Sequence, residues 1–303
     1  MTYSATELQL THLLQRAFRR LKVARTSTAT GGSTTTIVDT KLPDYLGDSH
    51  ENDILNRGSV IIVRDAGLGG VAPEGEFSEI LDYAATSSNG TITTSTLTAA
   101  VAASDTYMYI SPDFPLLDMI EVVNDALIYL GRIPVFSNIT TVANQTEYTL
   151  PLGLKGINLT DIELQGILTD SNDNRYTPIS NWKITPDLPG DTGLLTVPQF
   201  PAGYILRITY PWLHPRVSAF SDYISEYIHP ELATACVVAH ALQWYNSQRS
   251  GADDYWKQRE DRAWNQLDIA KRDYPIVKPV ARVPSFPHWG ANRSDQFPPV
   301  PLP

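Results

Sequence analysis

Apolar residues recur along this chain in two rhythms, and the switches between them mark out its elements. Near the start, Leu10, Leu13, Leu14, Ala17, Phe18 and Leu21 keep the i, i+3, i+4 spacing of a helix with one buried stripe. Ser4 and Glu7 stand ahead of it as a capping box, so a helix over 4–23 is predicted. The stripe stops where the composition turns to Thr, Ser and Gly over 26–36. From about Ile37 to Ile110 the pattern is that of short strands. Residues 60–63 form a buried run, 79–83 and 90–97 alternate, and 106–110 close the set. Asn89-Gly90 predicts a type I′ hairpin turn.

A second helix is predicted behind Asp113 as cap, with Leu116, Ile120, Val123, Leu127 and Leu130 on one face and Gly131 as its stop. A second β-region follows from about Phe136 to Tyr210, with its best strands at 147–150, 159–168, 176–179, 193–197 and 204–210. Two helices come next. Pro230 suits a first-turn position, and Leu232, Cys236, Ala239 and Leu242 continue the stripe. Ser250-Gly251 breaks the chain before a charged helix over 252–274, and the short break predicts an antiparallel pair.

These elements predict an α+β fold. Its helical bundle comprises an N-terminal helix, a middle helix and a C-terminal antiparallel pair. Two barrel- or sandwich-like β insertions interrupt the bundle, and a Pro-rich arm ends the chain. The expected segments are 1–25, 26–112, 113–132, 133–217, 218–274 and 275–303.

Composition sharpens the picture at the arm. Eight of the 22 prolines fall in the last 30 residues, with Phe286, Trp289 and Phe297 among them. Such a stretch forms neither a helix nor a central strand. Formal net charge is −10, which disfavours general nucleic-acid binding by phosphate neutralisation. The acid is concentrated, with residues 26–132 carrying a net −11 while 1–25 and the Pro-rich end are basic. No apolar run approaches a membrane span. The basic first 25 residues lack the apolar core of a secretory signal. One cysteine rules out an intrachain disulfide framework.

Several fragments imitate catalytic or binding motifs. Gly67-Leu-Gly69-Gly-Val-Ala72 fits G-x-G-x-x-A, but Pro73 follows where the motif needs a helix. Gly47-Asp48-Ser49-His50 matches the nucleophile block of some esterases, yet no histidine has the Asp three residues earlier that the second block requires. The run 170–174 begins like a calcium loop but has Arg175 and Asn181 where Gly and Glu belong. Cys236 and His240 lie i, i+4, with no second pair to complete a metal site, and read as a packed thiol beside a satisfied histidine. No catalytic residue, metal or cofactor is expected. The aromatic clustering in 244–264 exceeds what one helix seam needs and suits a contact between subunits.

The order of elements resembles the head-to-tail adaptor (connector, or neck) proteins of tailed bacteriophages. The residues carrying the likeness begin with the N-terminal helix and the Thr-rich entry Gly31 to Asp39. Next come Gly58-Ser-Val-Ile-Ile-Val63, Ala72-Pro-Glu-Gly75-Glu and the turn at Gly90. The helix with Ile120, Asn124 and Ala126-Leu127 follows, and then Gln145-Thr-Glu-Tyr148-Thr-Leu-Pro151. The resemblance implies a non-enzymatic virion protein, made in the host cytoplasm and located in the neck. Identical subunits, about twelve, would form a ring between portal and tail, and DNA would pass through its channel without specific binding. Arg282, Phe286, Trp289 and Phe297 would anchor the arm on the portal protein. Arg16, Arg19, Arg20, Trp244, Tyr255, Trp256, Arg259 and Trp264 would meet the next subunit, and tail or neck proteins would be further partners. No membrane partner is implied. The large β-regions depart from the small helical members of that family. They leave open a trimeric fibre or baseplate module that binds a receptor, and Ser49 leaves open a hydrolase.

Overall fold

The computed structural model describes residues 8–45, 52–67, 73–86, 88–150, 161–165, 176–179, 181–185, 193–248 and 253–276. They make a mixed α+β protein built on antiparallel sheets. Two compact units divide them: the chain up to Gly131 with Leu213–Ile276, and Arg132–Trp212.

In the first unit, helix α1 spans Leu10–Leu21 and buries the predicted leucine stripe with Phe18. It begins at Leu10 behind Gln9, with no side-chain cap, so the expected start at Ser4 is corrected; Ser4 and Glu7 themselves lie outside the described residues. Gln9 bridges instead to Tyr223, and the Leu10 N–H donates to the Asp222 carbonyl at 2.8 Å. Tertiary partners thus take the first-turn donors that a capping side chain would have held. At the other end Lys22 adopts the left-handed conformation, φ 55°, and the Val23 N–H reaches back to the Phe18 carbonyl.

Strands β1 (Ala24–Thr28) and β2 (Gly31–Gly32) follow at once, in the stretch read only as the end of a helix, and β3 (Thr36–Asp39) opens the expected strand region. After the four-residue helix α2 (Leu42–Tyr45) come β4 (Ser59–Arg64), β5 (Phe77–Ala85), β6 (Gly90–Thr94) and β7 (Thr106–Ile110). Their order in the sheet is β1-β7-β4-β5-β6-β3-β2, antiparallel throughout. The two edge strands are consecutive pieces of chain joined only by Ala29 and Thr30. Ala29 bonds to Asp105 beside β7, while the Thr30 N–H donates to Val38 in β3. A sheet whose first and last strands are two residues apart must curl. Inside the curl pack Ile37, Val60, Ile62, Ile80, Tyr83, Ile92 and Tyr107.

Two sequence expectations change here. Ile80 and Tyr83 are three residues apart, yet both face the core. The register slips between Ile80 and Asp82, and this bulge leaves Leu81 56% exposed. Between β5 and β6 the Thr86 N–H donates to the Asn89 carbonyl at 2.8 Å, while Gly90 already pairs with Ala85 and Asp39. The type I′ turn at Asn89-Gly90 is therefore absent. Gly90 is small for another reason, since a Cβ there would lie 3.0 Å from Leu42 Cβ and from the Tyr83 hydroxyl.

Helix α3 spans Leu116–Tyr129 and ends at Gly131, φ +92°. Asp113 does not cap it. Pro115 occupies the N-cap position, and the Asp113 N–H donates to Ser111 Oγ in the preceding turn. Helix α4 (Pro230–Ser247) starts on Pro230 as expected, with His229 accepting from the Glu231 N–H. It contacts α1, α3 and the last helix, α5 (Asp254–Asp273), and its small apolar residues are buried nearly all round. Asn246 Nδ2 donates to Glu260 at 2.6 Å near one end of the α4–α5 pair, while His240 meets Trp264 farther along, so the pair is antiparallel.

The second unit holds β8 (Arg132–Thr140), β9 (Glu147–Thr149), β10 (Asp161–Gln165), β11 (Tyr176–Pro178), β12 (Lys183–Thr185), β13 (Leu194–Thr196) and β14 (Ile205–Leu213). They form sheets of order β11-β10-β14-β8 and β12-β13-β9. Tyr148, Leu150, Leu195, Val197, Leu206 and Ile208 make its core. Strands β8 and β12 escaped the sequence pattern.

Candidate functional site

A concavity opens among the described residues where α1 hands over to β1. It has a volume of about 540 Å³ and is lined by Lys22, Val23, Arg25, Ile54, Leu55, Tyr109, Ser111, Pro112, Asp113, Phe114, Tyr255, Trp256 and Arg259. Three cations against one carboxylate make it a positive spot on a chain of net charge −10. Its floor is rigid. Phe114 stacks on Tyr245 at 5.0 Å, and Tyr245 packs on Trp256 at 4.6 Å. The Arg259 guanidinium lies 4.6 Å from the Trp256 ring centre and donates to the Leu21 carbonyl at 2.6 Å, which ties α5 to the end of α1. At the rim Tyr255 is 60% exposed, and Lys22, also exposed, makes no side-chain hydrogen bond or ion pair among the described residues. A cation–aromatic wall of this kind can bind an acidic surface, and on it the Ser111 hydroxyl donates to the Asp113 carboxylate at a long 3.5 Å.

The residues expected at a subunit contact fall into two groups. Arg16 and Arg20 both pair with Glu231 at the start of α4, Trp264 packs on Tyr129 and His240, and Trp256 and Arg259 belong to the cleft. These five hold the chain's own helices together. Arg19 and Tyr255 are exposed, Arg20 keeps an exposed side chain beside its ion pair, and Trp244 is half-buried, so their outward surface is open to another molecule. Arg282, Phe286, Trp289 and Phe297 lie outside the described residues, as do Ser49, Gly69 and the run 170–174.

Cys236 is buried, its thiol donates to the Ala126 carbonyl at 3.3 Å, and burial pushes its pKa to about 12, so it stays an inert thiol. Its neighbour is less settled than expected. His240 Nε2 is buried with no hydrogen-bond partner, and the ring sits between Tyr129 and Trp264. Burial pushes its pKa down, the Asp125 charge pulls it part of the way back, and Lys271 adds a smaller push down. No group of His, Cys, Asp or Glu that could hold a metal occurs among the described residues. No described helix is long and apolar enough to cross a membrane.

The pattern missed a buried polar cluster inside the curled sheet. Asp39 is fully buried and accepts from the Ser27 hydroxyl, from the Tyr107 hydroxyl at 2.8 Å and from the Lys41 N–H at 2.8 Å. Burial raises the Tyr107 pKa, and the Asp39 charge raises it further. Two more acids of this region are also internal. Asp105 accepts from the N–H groups of Ala66 and Ala102, and Glu76 accepts from Thr98. Part of the acid excess therefore holds loops rather than covering the surface. The only hint in the sequence was Asp39 at the end of an apolar run. No family model matches the chain, and no curated protein matches it.

Proposed function

We propose that this chain is a non-enzymatic structural protein of a tailed bacteriophage virion, a head-to-tail adaptor that assembles as a ring between portal and tail. In this reading the helices form the ring's bundle, and the sheets are barrel-like additions to it. The arm after residue 274 docks on the portal through Arg282, Phe286, Trp289 and Phe297.

The observation that carries the reading is the state of the helix exteriors. Helices α3 and α5 each bury one face, yet they also turn large apolar residues outward. Leu117 is 64% and Ile128 49% exposed on α3; Tyr255 is 60% and Ile269 48% exposed on α5. Uncovered apolar groups on two separate helices favour a protein that other molecules cover. A subunit in a closed ring needs two different faces of this kind.

Deleting 275–303 tests the arm. The expected result is an unchanged melting temperature together with loss of portal capture in a pull-down. Portal capture at undiminished strength by the truncated chain would refute the assignment.

A further inference from the structure

Two surfaces of the first unit are complementary. One is the cleft at the α1–β1 junction, with Lys22, Arg259 and the exposed Tyr255. The other is the outer strip of α3, where Leu117, Asp118, Glu121, Asp125 and Ile128 are all exposed and lie within about 100° of one another around the helix. The strip is about 16 Å long, convex, apolar at both ends and acidic between them. Among the described residues Asp118 and Asp125 have no ion-pair partner, and Glu121 has only an exposed pairing with Arg216. The cleft is concave, aromatic and cationic.

We propose that the chain self-associates head to tail, with the outer strip of α3 of one copy seated against the Lys22–Tyr255–Arg259 cleft of the next. The inference rests on the reading above that copies associate, and it names the junction. Charge complementarity selects a second copy as the occupant. Two bodies of net charge −10 repel at most orientations, and a contact that places an acidic strip on the cationic spot reverses the sign locally. Leu117 and Ile128 then leave water against Tyr255 and its neighbours, while the aspartates meet Lys22 and the open edge of Arg259. The two surfaces differ, so every copy keeps one of each free, and the contact repeats until it closes.

Sedimentation velocity on full-length chains tests this. The head variant carries Lys22→Gly and Tyr255→Ala; glycine suits the left-handed backbone at position 22, so this change does not threaten folding. The tail variant carries Leu117→Ser and Asp125→Asn, both at exposed positions. Thermal melts and near-UV circular dichroism confirm that each is folded. The wild type is expected to form assemblies larger than two copies, and each variant alone to associate about 100-fold more weakly. An equimolar mixture of the two should stop at two copies, because only one sound junction can form. Wild-type-sized assemblies in either variant, or in the mixture, would overturn the junction but leave the adaptor reading intact. A wild type that stays monomeric at every concentration would overturn both.

Discussion

Asp39 shows how much one side chain can organise. Its carboxylate lies inside the curled sheet and gathers a serine hydroxyl from β1, a tyrosine hydroxyl from β7 and the backbone beyond β3. Those strands are the ones that bring the edges of the sheet round to each other. Removing the acceptor would take from the Ser27 and Tyr107 hydroxyls the buried partner they share, and unmet buried donors cost more than the bond itself contributes. Asp39→Ala should therefore destabilise the protein by about 2–4 kcal/mol, whereas Tyr107→Phe, which keeps the packing, should cost only about 1–2 kcal/mol. Urea midpoints of the two variants check this; equal and small losses would mean that the cluster is not what holds the curl. Little of this was legible in the sequence. An Asp after Ile37-Val38 looks like any strand end, because its three partners lie far away along the chain or in the backbone.

Elements with a strong period were legible, and those held by tertiary partners were not. The stripe of α1 and the run of β4 follow directly from the spacing of their leucines, isoleucines and valines. The start of α1 did not, because Asp222 and Tyr223 supply the contacts that a capping box would have made. The β5 alternation was broken by a bulge, which leaves no mark in a five-residue pattern. The irregular connector from β14 to α4 also has its own anchors. Asn124 on α3 exchanges hydrogen bonds with both backbone groups of Val217, and Asp222 accepts from Ser218 and Ala219. His214 accepts the Ser225 N–H at 2.9 Å on Nε2, so its Nδ1 carries the proton and donates to the Pro215 carbonyl at 2.6 Å.

That geometry requires a neutral imidazole, and burial lowers the His214 pKa from 6.5. His240 is shifted the same way. A base with a lowered native pKa leaves the unfolded chain to bind the proton first. Stability should thus be full above pH 6.5 and fall as the pH drops from there toward the lowered native values. The urea midpoint at about pH 5.5 should lie below that at about pH 7.5, and His214→Gln should shrink the difference. An unchanged or rising midpoint on acidification would contradict this account of the connector.

At the scale of the whole molecule, charge and exposure point the same way. Among the described residues a group of exposed cations lies at the end of α1 and the beginning of β1, and a strip of acid lies on α3. The sequence already showed basic ends and an acidic middle. It could not show that Arg16 and Arg20 are spent on Glu231, or that Asp39, Glu76 and Asp105 face inward. Among the charges that stay outside, Asp118, Glu121 and Asp125 lie with exposed Leu117 and Ile128 on α3, and Lys22 lies with exposed Tyr255 at the cleft; these carry the case for assembly. The most direct test is native mass spectrometry of the full-length chain at neutral pH and moderate salt. A closed assembly of about twelve copies, dissociating as salt is raised, is the predicted result. A salt-indifferent monomer or trimer would contradict it.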